Sequence, residues 1–275
     1  MSVSGRSIAV FGGNGFLGKR ICEGGIRNGY TVYGLLRSGS KPKVETPHDA
    51  YWIIKVNWQQ ADVFNPKTYK KTLAEVDTVV HSIGMLFENQ DYKKVMNSNF
   101  SVLNDVRNLA NAIKGGNPMK KSYELTYEAV QRDSAVILAD ALIKSKSKKK
   151  KLDSVETPNF VYILADSQIP LIPSRYLTTK REAEFELSLK HGLRTISARP
   201  GFMFDEALGW TNRSVFGSLL SLGYDTKQVL FQDKIEPLNG LVRPPISTQK
   251  VAAEVYKRLE NPDFSGVLSL DEMLK

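Results

Sequence analysis

The chain has 275 residues, 41% of them hydrophobic and 24% charged, which suits one domain of ordinary globular composition. A single cysteine excludes an intrachain disulfide, three separated histidines exclude a Cys/His metal cluster, and no apolar run is long enough to cross a membrane. The net charge of +9 invites nucleic acid or an anionic surface, yet six of those charges are the lysines of KSKSKKKK at 144–151, and the remainder carries about +3.

The N-terminal MSVSGR runs straight into an apolar strand pattern, which leaves no room for a secretory signal, and no Arg/Ser-rich transit peptide is evident. Ser7–Phe11 (SIAVF) reads as the first strand. A glycine-rich turn follows, then a helix to about Asn28 that Gly29 stops. Gly24 and Gly25 weaken that helix by about 1 kcal/mol each, so close packing is expected there. Thr31–Leu36 reads as the second strand, and 52–58 feeds a third that ends near Asp62. A helix over 66–75 leads to the fourth strand at 77–81. Residues 122–144 form a long amphipathic pattern. The fifth strand covers 160–165, a helix covers 178–191, and the sixth strand covers 194–199. A last helix, at 244–260, is entered through Pro-Pro. Short β-branched runs alternating with helices predict an α/β fold: a Rossmann-type, doubly wound parallel sheet with right-handed crossovers. One domain spans 1–275, with 202–243 forming most of a small C-terminal substrate lobe. Two segments break the rhythm. Residues 85–121 are too long and polar for an ordinary strand-to-helix turn. The lysine tract reads as a solvated, disordered loop far from the C-terminal ends of the strands, where ligands bind in such sheets.

Residues 10–18 read VFGGNGFLG. Gly12 permits a tight turn, Gly15 lets backbone N–H groups approach a pyrophosphate, and Gly18 lets the helix pack on the strand. Gly13, Asn14, Phe16 and Leu17 complete the turn. The second strand ends in Arg37-Ser38, where an acidic residue would suit the ribose of NAD(H). An arginine and a hydroxyl suit a 2′-phosphate, so the pair favours NADP(H) over NAD(H). A solvated surface arginine is the plain alternative.

The spacing G-x-x-G-x-x-G resembles the short-chain dehydrogenases/reductases, and GGNGFLG resembles their extended and atypical members. Phe11 stands where that family usually has Thr. The resemblance implies that Asp62 and Val63 hold the adenine, and that Ser82 and Gly84 border the cofactor ribose. It implies a catalytic Tyr-x-x-x-Lys in Tyr176 and Lys180, with Tyr176 as general acid/base and Lys180 on the ribose hydroxyls. Chance alone supplies such a pair, as Tyr51 and Lys55 show, but only Tyr176 follows the fifth strand. The family's hydroxyl on the substrate oxygen falls at Leu164 or Ala165, which leaves Ser167 to serve. Gln131 stands for the Asn that opens the long helix. Pro200 and Gly201 match the family's R-P-G beside the nicotinamide.

GGNGFLGKRIC, TYEAVQRDSAVILADAL, YLTTKREAE, ARPGFMFDE and RPPISTQKVAAEV occur in one order along the chain. Together with NPDFSGVLSL they resemble the atypical short-chain dehydrogenases/reductases of fungal mitochondrial coenzyme Q (ubiquinone) biosynthesis, a group similar to the NADPH-binding accessory subunit of respiratory complex I. The resemblance implies a protein on the matrix side of the mitochondrial inner membrane, peripheral to it, among the proteins of a coenzyme Q biosynthetic complex. Two roles remain open: an oxidoreductase for a carbonyl or quinone-type small molecule, or a non-catalytic NADPH-binding subunit. A third contact, of the 144–151 lysines with an anionic membrane, rests on charge. No aromatic residues interleave those lysines, so nucleic acid is not expected.

Overall fold

The computed structural model describes residues 6–85, 126–149, 157–167, 173–208 and 243–275. Nearly all of the 85–121 segment, most of the 202–243 lobe, and residues 150 and 151 of the lysine tract lie outside the described residues. Strands β1 (Ser7–Phe11), β2 (Thr31–Leu36), β3 (Asn57–Gln60), β4 (Thr78–His81), β5 (Asn159–Ile163) and β6 (Arg194–Ala198) pair in parallel. A short parallel pair, β7 (Met203–Phe204) and β8 (Ile246–Ser247), lies apart from them. β9 (Gly266–Leu268) closes the main sheet beside β6. The sheet has seven strands in the order β3-β2-β1-β4-β5-β6-β9. The chain winds outward from β1 to β3, then returns to lay β4 against the other side of β1. That reversal creates the crevice in which such sheets bind ligands. β1 and β4 are buried at every position, which explains their unbroken apolar character.

Helices cover both faces. α1 (Gly18–Arg27) and α2 (Pro47–Ile53) lie on one face, joined there by two later helices. The other face carries α3 (Lys70–Glu75), α4 (Ser134–Lys149) and α5 (Ser174–Ser188). The two later helices are α6 (Thr248–Glu260) and α7 (Leu270–Leu274). Alternation along β1 divides the core: Ile8 and Val10 pack with Ile21, Trp52, Val255 and Met273, whereas Ala9 and Phe11 pack with Leu73, Leu138 and Leu187. The two helix glycines have their reason in α6. A Cβ on Gly24 would lie 2.8 Å from the Tyr256 ring, and one on Gly25 would lie 2.7 Å from its hydroxyl. That hydroxyl donates to the Ile21 carbonyl at 2.8 Å.

Three local expectations are corrected. Residues 52 and 53 are helical, not extended. Thr46 and Asp49 form a reciprocal capping box, Pro47 opens α2, and the Trp52 indole donates to Asp49 Oδ1 at 3.1 Å. The chain extends again only at Asn57, and the Tyr51–Lys55 pair is a cation–π contact of 3.6 Å. The long helix begins with a π-helical turn, Glu128–Asp133, that no sequence pattern announced. It also continues through Lys149, so the lysine tract up to that residue is helix and not a loop. Lysine is a good helix former, and Lys146 turns inward to 7% exposure. The helix expected from 178 begins four residues earlier, after Pro173.

Candidate active site

Every site residue read from the sequence except Gln131 falls at the C-terminal end of a strand or on α5. Gly12 to Gly18 link β1 to α1, Arg37 and Ser38 follow β2, and Asp62 and Val63 follow β3. Ser82 and Gly84 follow β4, Ser167 follows β5, and Pro200 and Gly201 follow β6. Gly12 has φ +81°, and a Cβ there would lie 2.9 Å from the Ser82 carbonyl oxygen, so glycine alone lets this turn rest on the end of β4. A Cβ on Gly18 would lie 2.1 Å from the Gly12 carbonyl oxygen. Gly15 N–H closes the turn on that same oxygen at 2.8 Å. Asn14 is exposed at the tip, and Leu17 is buried beneath it. No side chain caps α1, and its first turn holds no carboxylate. A cradle too tight for a Cβ, beside an uncapped helix start, fits a pyrophosphate.

Beyond β2, Arg37 and Ser38 are exposed, and Arg37 enters no ion pair among the described residues. Gly39 has φ +68°, and Ser40 N–H donates to Ser38 Oγ at 3.2 Å, which leaves the Ser38 hydroxyl free to donate outward. The Asp62 carboxylate accepts from Phe64 N–H at 3.1 Å, and Val63 is buried with its carbonyl on the Tyr69 hydroxyl at 2.8 Å.

At the other end of the crevice, Tyr176 and Lys180 lie one turn apart on α5. Lys180 is 3% exposed. Its ammonium donates to the Ile163 carbonyl at 2.8 Å and lies 5.6 Å from the Tyr176 ring centroid. A Cβ on Gly84 would come within 3.7 Å of it. Burial pulls the Lys180 pKa down from 10.5 to about 7. Tyr176 is half-buried and meets Tyr127 edge to face at 6.1 Å. Leu164 and Ala165 are buried, so Ser167, half-buried two residues on, is the hydroxyl that this turn offers. The Pro200 carbonyl accepts from Asp166 N–H at 2.9 Å, which joins the ends of β5 and β6.

Three groups escaped the sequence reading. His81 is fully buried at the end of β4. Ser134 Oγ gives its proton to the Val130 carbonyl at 2.6 Å, so His81 Nε2, 2.8 Å away, donates to it, and Nδ1 is an acceptor without a hydrogen bond among the described residues. Burial, then the Lys180 charge, lower the His81 pKa to about 3. Gln131, which the sequence marks as the counterpart of the family Asn, lies on the π-helical turn; its side chain donates to the Met85 carbonyl at 3.3 Å, and its backbone carbonyl accepts from the Tyr162 hydroxyl at 2.6 Å. The turn after β5 is clasped by two arginines: Arg243 Nε donates to Asp166 Oδ2 at 2.7 Å, and Arg181 donates to the Asp166 carbonyl at 2.8 Å. Beneath the glycine turn, buried Arg20 binds Asp205 (3.0 Å), Glu23 (2.7 Å) and Asp49 (3.1 Å). Burial opposes its charge, and the carboxylates outweigh that, so its pKa is raised. These partners are up to 185 residues apart in sequence, and no local pattern marks them.

A parallel sheet that reverses between β1 and β4, a glycine turn at that reversal, and a Tyr–Lys pair across the crevice define a Rossmann-type fold. Residues 8–133 match the NAD dependent epimerase/dehydratase family. The chain is 43% identical over 275 residues to MIOREX complex component 2 of Saccharomyces cerevisiae, covering 98% of both chains, and it belongs to that protein's family. Its fold is similar to that of ElxO with NADP bound, at a TM-score of 0.57 and 15% identity, covering 98% of this chain and 100% of that one. It is similar also to the aldohexose dehydrogenase of Thermoplasma acidophilum, at 0.54 and 15%, covering 98% and 95%.

Proposed function

We propose that the protein is an NADP(H)-dependent oxidoreductase acting on a carbonyl or quinone-type intermediate within a multiprotein mitochondrial assembly. The carrying observation is Lys180: a buried ammonium fixed on the Ile163 carbonyl, beside Gly84 and Tyr176. One of its three N–H donors is used there, and the others suit ribose hydroxyls. When bound, NADPH supplies the hydride. The pyrophosphate lies on the Gly12–Gly18 turn, and Arg37 with Ser38 takes the 2′-phosphate. Asp62 and Val63 border the adenine, Ser82 and Gly84 the nicotinamide ribose, and Pro200 and Gly201 the nicotinamide. The positive charge of Lys180 favours loss of the Tyr176 proton, and Tyr176 delivers that proton to the substrate oxygen, which Ser167 orients.

Placement in a mitochondrial assembly is supported by kinship with a protein named as a MIOREX complex component. The link to coenzyme Q synthesis, at the matrix face of the inner membrane, rests on the resemblance in the sequence motifs. One observation favours a second reading, a non-catalytic NADPH-binding subunit: buried Leu164 and Ala165 stand where a substrate hydroxyl is usual.

The test is titration of purified protein with NADPH and NADH, then turnover of carbonyl and quinone compounds by the wild type and Tyr176→Phe. Tighter NADPH binding, with turnover that falls about hundredfold or more in Tyr176→Phe, supports the enzyme. Tight binding with no turnover supports the second reading. Absence of NADPH binding defeats both.

A further inference from the structure

The segment 37–46, which carries Arg37, crosses from the end of β2 to the start of α2, and both of its ends are fixed. At the near end Gly39 N–H donates to the Leu36 carbonyl at 3.2 Å. At the far end the ties are ionic and reach back to the first turn of α1. The Lys19 ammonium lies 2.5 Å from Glu45 Oε2 and 3.6 Å from Asp205. Asp49 divides its carboxylate: Oδ2 accepts from Thr46 N–H at 2.9 Å and Glu45 N–H at 3.3 Å, and Oδ1 accepts from Arg20 at 3.1 Å. Arg20 in turn grips Asp205. Two successive residues of the helix that begins at the glycine turn therefore clasp the far end of the segment that presents Arg37.

The clasp also sorts charge. Glu45 and Asp49 are the acids between 37 and 55, and both are spent on α1. Arg37, Lys41 and Lys43 stay exposed, with no ion pair among the described residues. The outward side of the segment is thus positive, which suits a phosphate. The same links serve stability, because Asp49 and Arg20 are buried. Glu45 differs: its side chain is 44% exposed, and what it fixes is the path of 37–46.

We propose that Glu45, held by Lys19, is a positioning residue that sets the preference for NADPH over NADH, with Asp49 and Arg20 as the buried half of the same clasp. It acts through Arg37 and touches no nucleotide itself. The inference rests on the NADP(H) reading above and adds to it a determinant away from the phosphate.

The experiment uses the full chain and compares NADPH and NADH dissociation constants for wild type, Glu45→Gln, Glu45→Asp, Lys19→Met and the Lys19→Met/Glu45→Gln double variant. Thermal unfolding is recorded for each. Glu45→Gln is expected to weaken NADPH about fivefold, the scale of one half-buried ion pair, and to leave NADH within about twofold. Glu45→Asp keeps the wild-type ratio, and the double variant is no worse in that ratio than either single one. An unchanged NADPH/NADH ratio in Glu45→Gln, with or without a lower melting temperature, overturns the inference, as does equal weakening of both nucleotides. A wild type that binds no NADPH overturns the functional reading, and this inference with it.

Discussion

The Lys180 ammonium donates to the Ile163 carbonyl at 2.8 Å, so a single buried charge pins helix α5 to the end of β5. The bond holds the Tyr176–Lys180 pair at the mouth of the crevice. It also leaves a cation almost without water, and the lowered Lys180 pKa follows from that.

Stability near neutral pH should register this lysine. Its folded pKa of about 7 lies below its ordinary 10.5. Between those values the unfolded chain binds more protons than the folded one, so this group makes stability rise with pH. The slope approaches about 1.4 kcal/mol per pH unit. Urea unfolding between pH 7 and 8.5, below the ordinary 9.0 of the buried thiol Cys22, is expected to show that rise in the wild type. Lys180→Met should flatten it. Equal slopes would place the charge elsewhere.

On the acid side His81 contributes. Its folded pKa is about 3 against an ordinary 6.5. The stability that it brings as a neutral ring is complete above pH 6.5 and is lost as pH falls toward 3. His81→Gln, which keeps a donor for Ser134, should lose less stability between pH 7 and 5 than the wild type. Chemical unfolding at both pH values measures the difference.

Gly24→Ala sets two effects against each other. Alanine favours a helix by about 1 kcal/mol over glycine. Its Cβ would meet the Tyr256 ring at 2.8 Å, and overpacking costs about 1–3 kcal/mol. The clash should win, with a lower melting temperature. Combining it with Tyr256→Ala should reverse the sign of the glycine substitution. A stabilised single variant would show that α6 yields easily.

Arg37→Ala should weaken NADPH about tenfold, close to 1.4 kcal/mol, and leave NADH nearly unchanged. Added salt should narrow the gap between wild type and variant, because the arginine is exposed. Fluorescence titration of both nucleotides at two ionic strengths tests this. Equal loss for both nucleotides would remove Arg37 from the 2′-phosphate site.

What the sequence revealed was local. The strand–glycine–helix unit at Gly12 and the Tyr176–Lys180 pair are short-range patterns, and each fell in its expected place. The lapses have physical causes as well. Trp52 favours a strand by type, yet Thr46, Pro47 and Asp49 set a helix start ahead of it, a signal present in the sequence that β-propensity masked. Six lysines suggested repulsion and a loop, but a helix already running through Leu142 and Ile143 carries several of them onward. The π-helical turn at Gln131 and the Arg20 cluster depend on contacts between distant segments. No window of sequence contains them.

The contact between Tyr256 and Ile21 joins residues 235 apart. At about 5–20 residues per second, synthesis leaves the first helix waiting roughly 10–50 s for its cover. Until then the side of that helix that meets α6, with Gly24 and Gly25, lacks its cover on a chain whose glycine turn is already made. The earliest part of the protein to be made is thus among the last to be shielded.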